Sequence, residues 1–201
     1  MADETTICNL ALAKLAIPPI MALTDDSTQA QFCSRFYAEA RNEVLSSHRW
    51  NFAMKRGTLV KLVDAPAFEW AFAYQLPVDC LRVVQLNGYE QTQREAEFCI
   101  EGRTLLTNDE EANIRYIAEV VDGMLYPPLF VDALATKLAS KLAGPLTGSR
   151  SMPSDLMADY EKITGPKARL ADVFEAQHRL KPLWATSDLV ASRFTRYPTN
   201  A

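Results

Sequence analysis

Apolar side chains recur at helical spacing toward both ends of this chain and at strand spacing through its middle. A first helix is predicted from near Asp3, with Ile7, Leu10, Ala11 and Leu15 on one stripe and Pro18-Pro19 as its stop. Thr24, Asp25, Asp26 and Ser27 then offer oxygens to cap a second helix. On that helix Cys33, Tyr37, Ala40, Val44 and His48 share a side, while Arg35 and Glu39 stand at pairing distance on the other.

From Phe52 the period shortens to two. Phe68, Trp70, Phe72, Tyr74 and Leu76 alternate as an aromatic strand. The segment 80–86 reads as a strand ending in Asn87-Gly88, a hairpin signal because both residues tolerate positive φ. A hairpin around Glu101-Gly102 and a strand through Ile114, Tyr116, Ala118 and Val120 complete a small antiparallel sheet or sandwich. Helical spacing returns after Pro127-Pro128 with Phe130, Leu134, Leu138 and Leu142, and Gly144-Pro145 and Gly148 punctuate. A fourth helix is predicted from about Pro153 to His178 on Leu156, Tyr160, Ile163, Leu170 and Phe174, kinked or broken at Gly165-Pro166. The expected fold class is therefore α+β. A four-helix bundle domain (residues 1–50 and 127–180) carries a β-sheet or sandwich domain (51–126) inserted between helices 2 and 3. An extended C-terminal arm (181–201) follows. Trp184, Phe194 and Tyr197, with Arg193 and Arg196, mark that arm as a segment that seeks burial on a partner.

Composition narrows the function classes. With 48% apolar and 23% charged residues over 201 positions, the chain can bury a real core. The net charge of −4 gives no general attraction to duplex DNA, which a basic surplus would provide. Cys8, Cys33, Cys80 and Cys99 stand far apart and read as buried thiols of a reducing compartment; with only two histidines, His48 and His178, no metal set is expected. The acidic start and the broken apolar run after it predict no signal peptide and no membrane span, hence a soluble cytosolic product.

No phosphate-cradling glycine loop, nucleophile elbow or zinc-helix motif occurs, and no cofactor is expected. Carboxylate pairs at Asp25/Asp26, Glu95/Glu97 and Glu110/Glu111 could serve a glycoside hydrolase, provided their separation and one raised pKa suited that work. The cluster His48-Arg49-Trp50-Asn51-Phe52 admits three readings: His48 as a general base, Arg49 stacking on a nucleic-acid base, or a structural corner. In the last, basic groups sit at the negative end of the second helix while Trp50 and Phe52 pack beneath it. The corner is the expectation carried forward.

That corner also opens a resemblance. A capped, Ala- and Arg-rich helix closing on Arg49-Trp50-Asn51-Phe52 resembles the head-to-tail adaptor family of tailed bacteriophages, in particular the tail tubular protein A type of short-tailed phages. Leu76-Pro77-Val78-Asp79-Cys80-Leu81-Arg82, Tyr126-Pro127-Pro128-Leu129-Phe130 and a final helix with Tyr160-Glu161, Ala168, Arg169, Ala171 and Asp172 match in order and spacing over roughly residues 5–180. Gly165-Pro166 departs from the family's unbroken helix. The resemblance implies a non-enzymatic virion protein, assembled in the host cytoplasm and placed at the head–tail junction. Copies, commonly twelve, would form a ring between portal protein and tail nozzle protein and extend the channel through which DNA passes without sequence-specific binding. It further implies that the arm reaches the portal. A tail-associated cell-wall hydrolase using a carboxylate pair and a DNA-binding packaging accessory are the alternatives.

Overall fold

Asp3 and Ser27 start the first two helices by the same device. In the computed structural model, which describes residues 3–90 and 97–176, the Thr6 N–H donates to Asp3 Oδ1 at 2.7 Å and the Ala30 N–H to Ser27 Oγ at 3.2 Å. These caps satisfy N–H groups that a first turn leaves without partners. Helices α1 (Glu4–Lys14) and α2 (Thr28–Ser47) follow. Between them the Asn9 side chain clamps the backbone of Ile20, accepting from its N–H at 2.9 Å and donating to its carbonyl at 3.0 Å.

The chain is α+β, with helices and two antiparallel four-stranded sheets. Strands β1 (Met54–Thr58), β8 (Asn113–Ala118), β4 (Cys80–Leu86) and β5 (Tyr89–Glu90) form one sheet in the order β1-β8-β4-β5. The second runs β2 (Val60–Lys61), β3 (Phe72–Gln75), β7 (Thr104–Thr107), β6 (Phe98–Glu101). Leu59 is the step between sheets: it separates β1 from β2, and its N–H donates to the Ala112 carbonyl at 2.8 Å. Asn87 (φ 48°) and Gly88 (φ 92°) make the tight β4–β5 turn with both residues at positive φ.

The first sheet is covered on both faces. Val83, Leu86, Ile114, Tyr116 and Ala118 pack with Leu105, Phe98 and Tyr74 of the second sheet, whereas Val84 and Ile117 join the core under the helices. In β8 the consecutive residues Tyr116, Ile117 and Ala118 are all buried, because alternate side chains enter different cores. Helix α3 (Pro128–Thr147) is the centre of the helical layer and touches α1, α2, α4 (Met152–Asp159) and α5 (Gly165–Ala176). Its Phe130, Leu134, Leu138 and Leu142 are fully buried among small neighbours such as Ala135, Ala139 and Ala143.

Several local expectations are corrected. The aromatic strand starts only at Phe72: Phe68 is exposed and Glu69 has a left-handed φ of 68°. Strand β3 pairs with β7 from Phe72↔Thr107 to Gln75↔Thr104, so residues 68–71 have no ladder to join. Leu10 is exposed, and α1 buries Ile7, Cys8, Ala11 and Leu12 instead. Helix α3 runs through Gly144-Pro145, although Pro145 has no N–H to give to the carbonyl four residues back, and ends at left-handed Gly148. Glu39 bonds Lys141 of α3 at 2.9 Å, where a pair with Arg35 was expected. Residues 177–178 of the expected fourth helix lie outside the described residues, as do Glu95 and the whole arm with Trp184, Arg193, Phe194, Arg196 and Tyr197.

At Gly165-Pro166 the α-helical ladder is interrupted by a π-helical turn, Tyr160–Thr164, between α4 and α5. The Gly165 N–H reaches back five residues to the Tyr160 carbonyl, and the wider turn makes room for the proline ring. The extra residue rotates everything after it by about 100°. Thr164, Ala168 and Asp172 therefore face the core below Tyr160, while Ile163, Leu170 and Phe174 of the expected stripe face outward. Glycine is needed here, because a Cβ at residue 165 would stand 2.6 Å from the Tyr160 carbonyl oxygen. Gly165→Ala should cost about 1–3 kcal/mol, the usual range for overpacking, in urea unfolding; a variant at least as stable as wild type would refute the close approach.

Candidate functional site

The corner at the end of α2 is built from groups that the sequence places far apart. Helix α2 stops at Ser47, and His48 takes an extended C-cap conformation. His48 and Arg49 therefore fall just past the last turn rather than within it. Residues Asn51–Ala53 form a 3₁₀ turn before β1, so Trp50 and Phe52 do not share a strand face. The Trp50 indole turns back under the helix instead. Its Nε1–H donates to the Val44 carbonyl at 2.8 Å, and Ser47 Oγ donates to the same oxygen at 2.8 Å. Side chains thus close the helix end where a glycine cap is common.

Four rings meet there. Trp50 is 2% exposed and stands edge-to-face on Phe130, with centroids 5.0 Å apart at 83°. Phe52 meets Phe130 at 4.9 Å and Tyr126 at 5.8 Å, while Tyr126 meets Phe130 at 4.9 Å. Burial pushes the Tyr126 hydroxyl up to about 12; as a proton donor it reaches the Val120 carbonyl at 2.5 Å.

Asp172 of α5 locks the corner from the side. It is buried, its Oδ1 accepts from the Asn51 N–H at 2.8 Å, and its backbone carbonyl accepts from Asn51 Nδ2 at 2.6 Å. His48 Nε2 lies 3.4 Å from Asp172 Oδ2, and the imidazole packs edge-on against Trp50 at 4.9 Å. A histidine–carboxylate pair can orient a general base, but the next group on this imidazole is an indole, which is no nucleophile. Arg49 is exposed beside the corner; burial, and after it the Arg49 charge, lowers the pKa of Arg82.

A second junction was not anticipated. Arg41 of α2 is 5% exposed, and its Nη2 bonds Glu119 at the end of β8. Asn42 Nδ2 donates to the same carboxylate oxygen at 3.1 Å. Only its place among Tyr37, Ala40 and Val44 hinted that Arg41 points inward. On the outer side, Lys141 bonds Glu39 at 2.9 Å and Glu43 at 2.6 Å, and Lys137 bonds Glu43 at 3.0 Å. Cys8 and Cys33 face each other across α1 and α2; a thiol–thiol hydrogen bond and burial push the Cys8 thiol up.

The carboxylate pairs are dispersed. Asp25 Oδ2 accepts from the N–H groups of Met21 and Ala22 at 2.9 and 3.0 Å, which fixes the turn before α2. Glu97 is exposed at the start of β6. Glu110 and Glu111 rim an open cleft of about 890 Å³ together with Asp109, Arg56 and Arg115. The Tyr74 hydroxyl donates to the Asp109 and Glu110 carbonyls at 2.9 and 2.5 Å, and its pKa is raised by burial and then by the nearby carboxylates. Among the described residues, no cluster of three or more histidine, cysteine or acidic side chains could hold a metal ion, and no helix is long and apolar enough to cross a membrane. No protein-family model and no curated protein matches the chain.

Two outcomes test this geometry. Trp50→Ala should lower stability by about 3–5 kcal/mol, since it empties a large buried aromatic site; equilibrium unfolding that matches wild type would place Trp50 at the surface. Glu43 supplies a pH test. Burial alone would raise its carboxyl, but hydrogen bonds from Lys141 and Lys137 outweigh it and hold the pKa below the ordinary 4.5. A lowered folded pKa gives stability present above the unfolded value and lost as pH falls through the folded one. Between about pH 5 and pH 3 the melting temperature should therefore fall less steeply for Glu43→Gln than for wild type. Parallel slopes would remove Glu43 from the acid transition.

Proposed function

We propose that the protein is a structural, non-enzymatic virion component: a head-to-tail adaptor whose copies close a ring between portal and tail nozzle and extend the DNA channel. In this reading a four-helix bundle domain (residues 1–50 and 127–180) carries the β domain (51–126) as an insertion between helices 2 and 3, and the arm (181–201) reaches the portal. The ring, commonly of twelve in that family, sits at the head–tail junction and lets DNA pass without sequence-specific binding.

The observation that carries this reading is the meeting of two separated segments of the resemblance. Trp50 and Phe52 from Arg49-Trp50-Asn51-Phe52 interlock with Tyr126 and Phe130 from Tyr126-Pro127-Pro128-Leu129-Phe130 in one ring cluster. Asp172, from the final-helix segment, bonds that corner through Asn51. The matched residues thus support one junction rather than scattered surface positions. A closed ring needs two different complementary faces on each copy, and helical and sheet surfaces of distinct character can supply them. Contacts repeated around the ring add avidity without any single tight one.

The cleft bearing Glu110 and Glu111 keeps the hydrolase as a second reading. Release of fragments from purified peptidoglycan, abolished by Glu110→Gln or Glu111→Gln, would favour it.

Mixing the full chain with the portal protein encoded near it, and measuring particle mass, tests the adaptor reading. A jump to a fixed number of copies is expected, and its loss in a chain ending at residue 180 would assign the arm as the contact. A jump with both chains would move the contact to the helices. No complex with either would overturn the adaptor reading.

A further inference from the structure

The connection between β2 and β3, residues 62–71, turns apolar side chains to solvent. Val63 is fully exposed and Phe68 is 74% exposed, and the charged residues of the segment are Asp64 and Glu69. The backbone is held in place: the Trp70 N–H donates to the Phe68 carbonyl at 2.8 Å around Glu69, whose φ of 68° is left-handed, and the Ala71 N–H donates to Asn108 Oδ1 at 3.0 Å. A non-glycine residue in that region is strained, and such strain is concentrated at binding sites. The segment lies over the outer face of the second sheet. It encloses a hollow with Ala73, Thr104 and Leu106, whereas the alternate residues Tyr74 and Leu105 face the first sheet.

A hollow of complementary character lies on the opposite side of the two stacked sheets. It measures about 260 Å³ and is lined by Met54, Val84 and Val173, with Arg49 and Arg115 among its polar residues. Met54 and Val84 belong to the face of the first sheet that packs under the helices, away from the second sheet. An apolar cavity of about 150 Å³ holds benzene, so this hollow has room for a phenylalanine ring. Asp172 also lines it, but that residue is buried and its carboxylate is taken by Asn51 and His48. Each arginine carries five N–H donors, enough to serve an incoming carboxylate beside a resident neighbour. An exposed ring flanked by two acids therefore faces, on the other side of the molecule, an apolar hollow flanked by two arginines.

We propose that residues 63–69 of one copy dock in this hollow of the next, with Phe68 entering over Met54, Val84 and Val173 while Asp64 and Glu69 meet Arg49 and Arg115. Loop and hollow lie on opposite sides of the sheets and cannot meet within one chain. The contact is therefore head-to-tail, and every pair keeps one loop and one hollow open for further copies. The inference rests on the adaptor reading for closure of the ring alone, and it names the two faces that reading leaves open.

Crosslinking between two full-length variants provides the test. Ala67→Cys and Val173→Cys stand at exposed sites; both are made in a Cys99→Ser background, since Cys8, Cys33 and Cys80 are buried. The two, one of them carrying a size tag, are mixed and treated with a short bismaleimide, at high concentration alone and together with the portal protein. A mixed product is expected, with neither variant linked to itself. Phe68→Ser in the loop chain should lower its yield at least about tenfold, as loss of a central aromatic anchor does. Asp64→Lys with Glu69→Lys should lower it as well, and Arg49→Glu in the hollow chain should restore part of that loss, which a misfolded loop would not allow. Absence of the mixed product under both conditions would overturn the proposal. So would a same-variant product of equal yield, which would make the contact isologous, or a yield indifferent to Phe68→Ser and to charge reversal. The two readings fail separately. A portal complex of fixed mass without the crosslink overturns this contact and keeps the adaptor, whereas a crosslink without a portal complex keeps the contact and overturns the adaptor.

Discussion

Trp50 combines two tasks that no smaller side chain can perform together. Its N–H closes the last turn of α2, and its ring fills the space between that helix and Phe130 of α3. An unmade bond here would leave a buried carbonyl partly unsatisfied, and an unfilled space would leave a cavity. The direction in which the chain leaves α2 follows from this one side chain. Asn51 must then present its N–H and amide to Asp172, and Phe52 must enter the ring cluster. The first strand of the sheet region begins two residues later. Helical packing and sheet placement are thereby coupled at a single point.

A second tether limits rotation about that point. Strand β8 contributes to both cores, and at its end Glu119 receives Arg41 and Asn42 from α2. Arg41 is buried while Glu119 is partly exposed, so the pair adds little net stability, yet any arrangement that separates the partners would leave the arginine buried without its counter-charge. Aromatic packing at one end of the helix and a paired charge near its middle hold α2 to the sheet in one orientation. In the ring proposed above, where each copy would present fixed faces to identical neighbours, such rigidity would matter more than net stability.

Local signals made much of this legible. Asp3 and Ser27 start helices because their oxygens reach N–H groups three residues on, and Asn87-Gly88 turns because both residues accept positive φ; each lesson needs only a few adjacent residues. What the sequence hid depends on distance. Residues 68–71 alternate like a strand but have no neighbour to pair with, a fact set by where β7 ends. Asp172 lies 121 residues from Asn51, and no spacing rule links them. The aromatic character of the corner was readable, whereas its lock was not.

The last helical region shows how one small local choice redirects a whole surface. Read at a constant 3.6-residue period, Leu156, Tyr160, Ile163, Leu170 and Phe174 form one stripe. The missing Cβ of Gly165 and the missing N–H of Pro166 together permit a turn one residue wider. The stripe is then cut in two: Tyr160 stays inside, and Ile163, Leu170 and Phe174 go out. The wider turn is also what brings Asp172 inward to meet Asn51 and His48. Locking the corner and exposing an apolar face are therefore two results of one geometry. A continuous α-helix would turn Leu170 and Phe174 to the side of Tyr160 and carry Asp172 away from the corner, so the lock and the outward stripe come and go together.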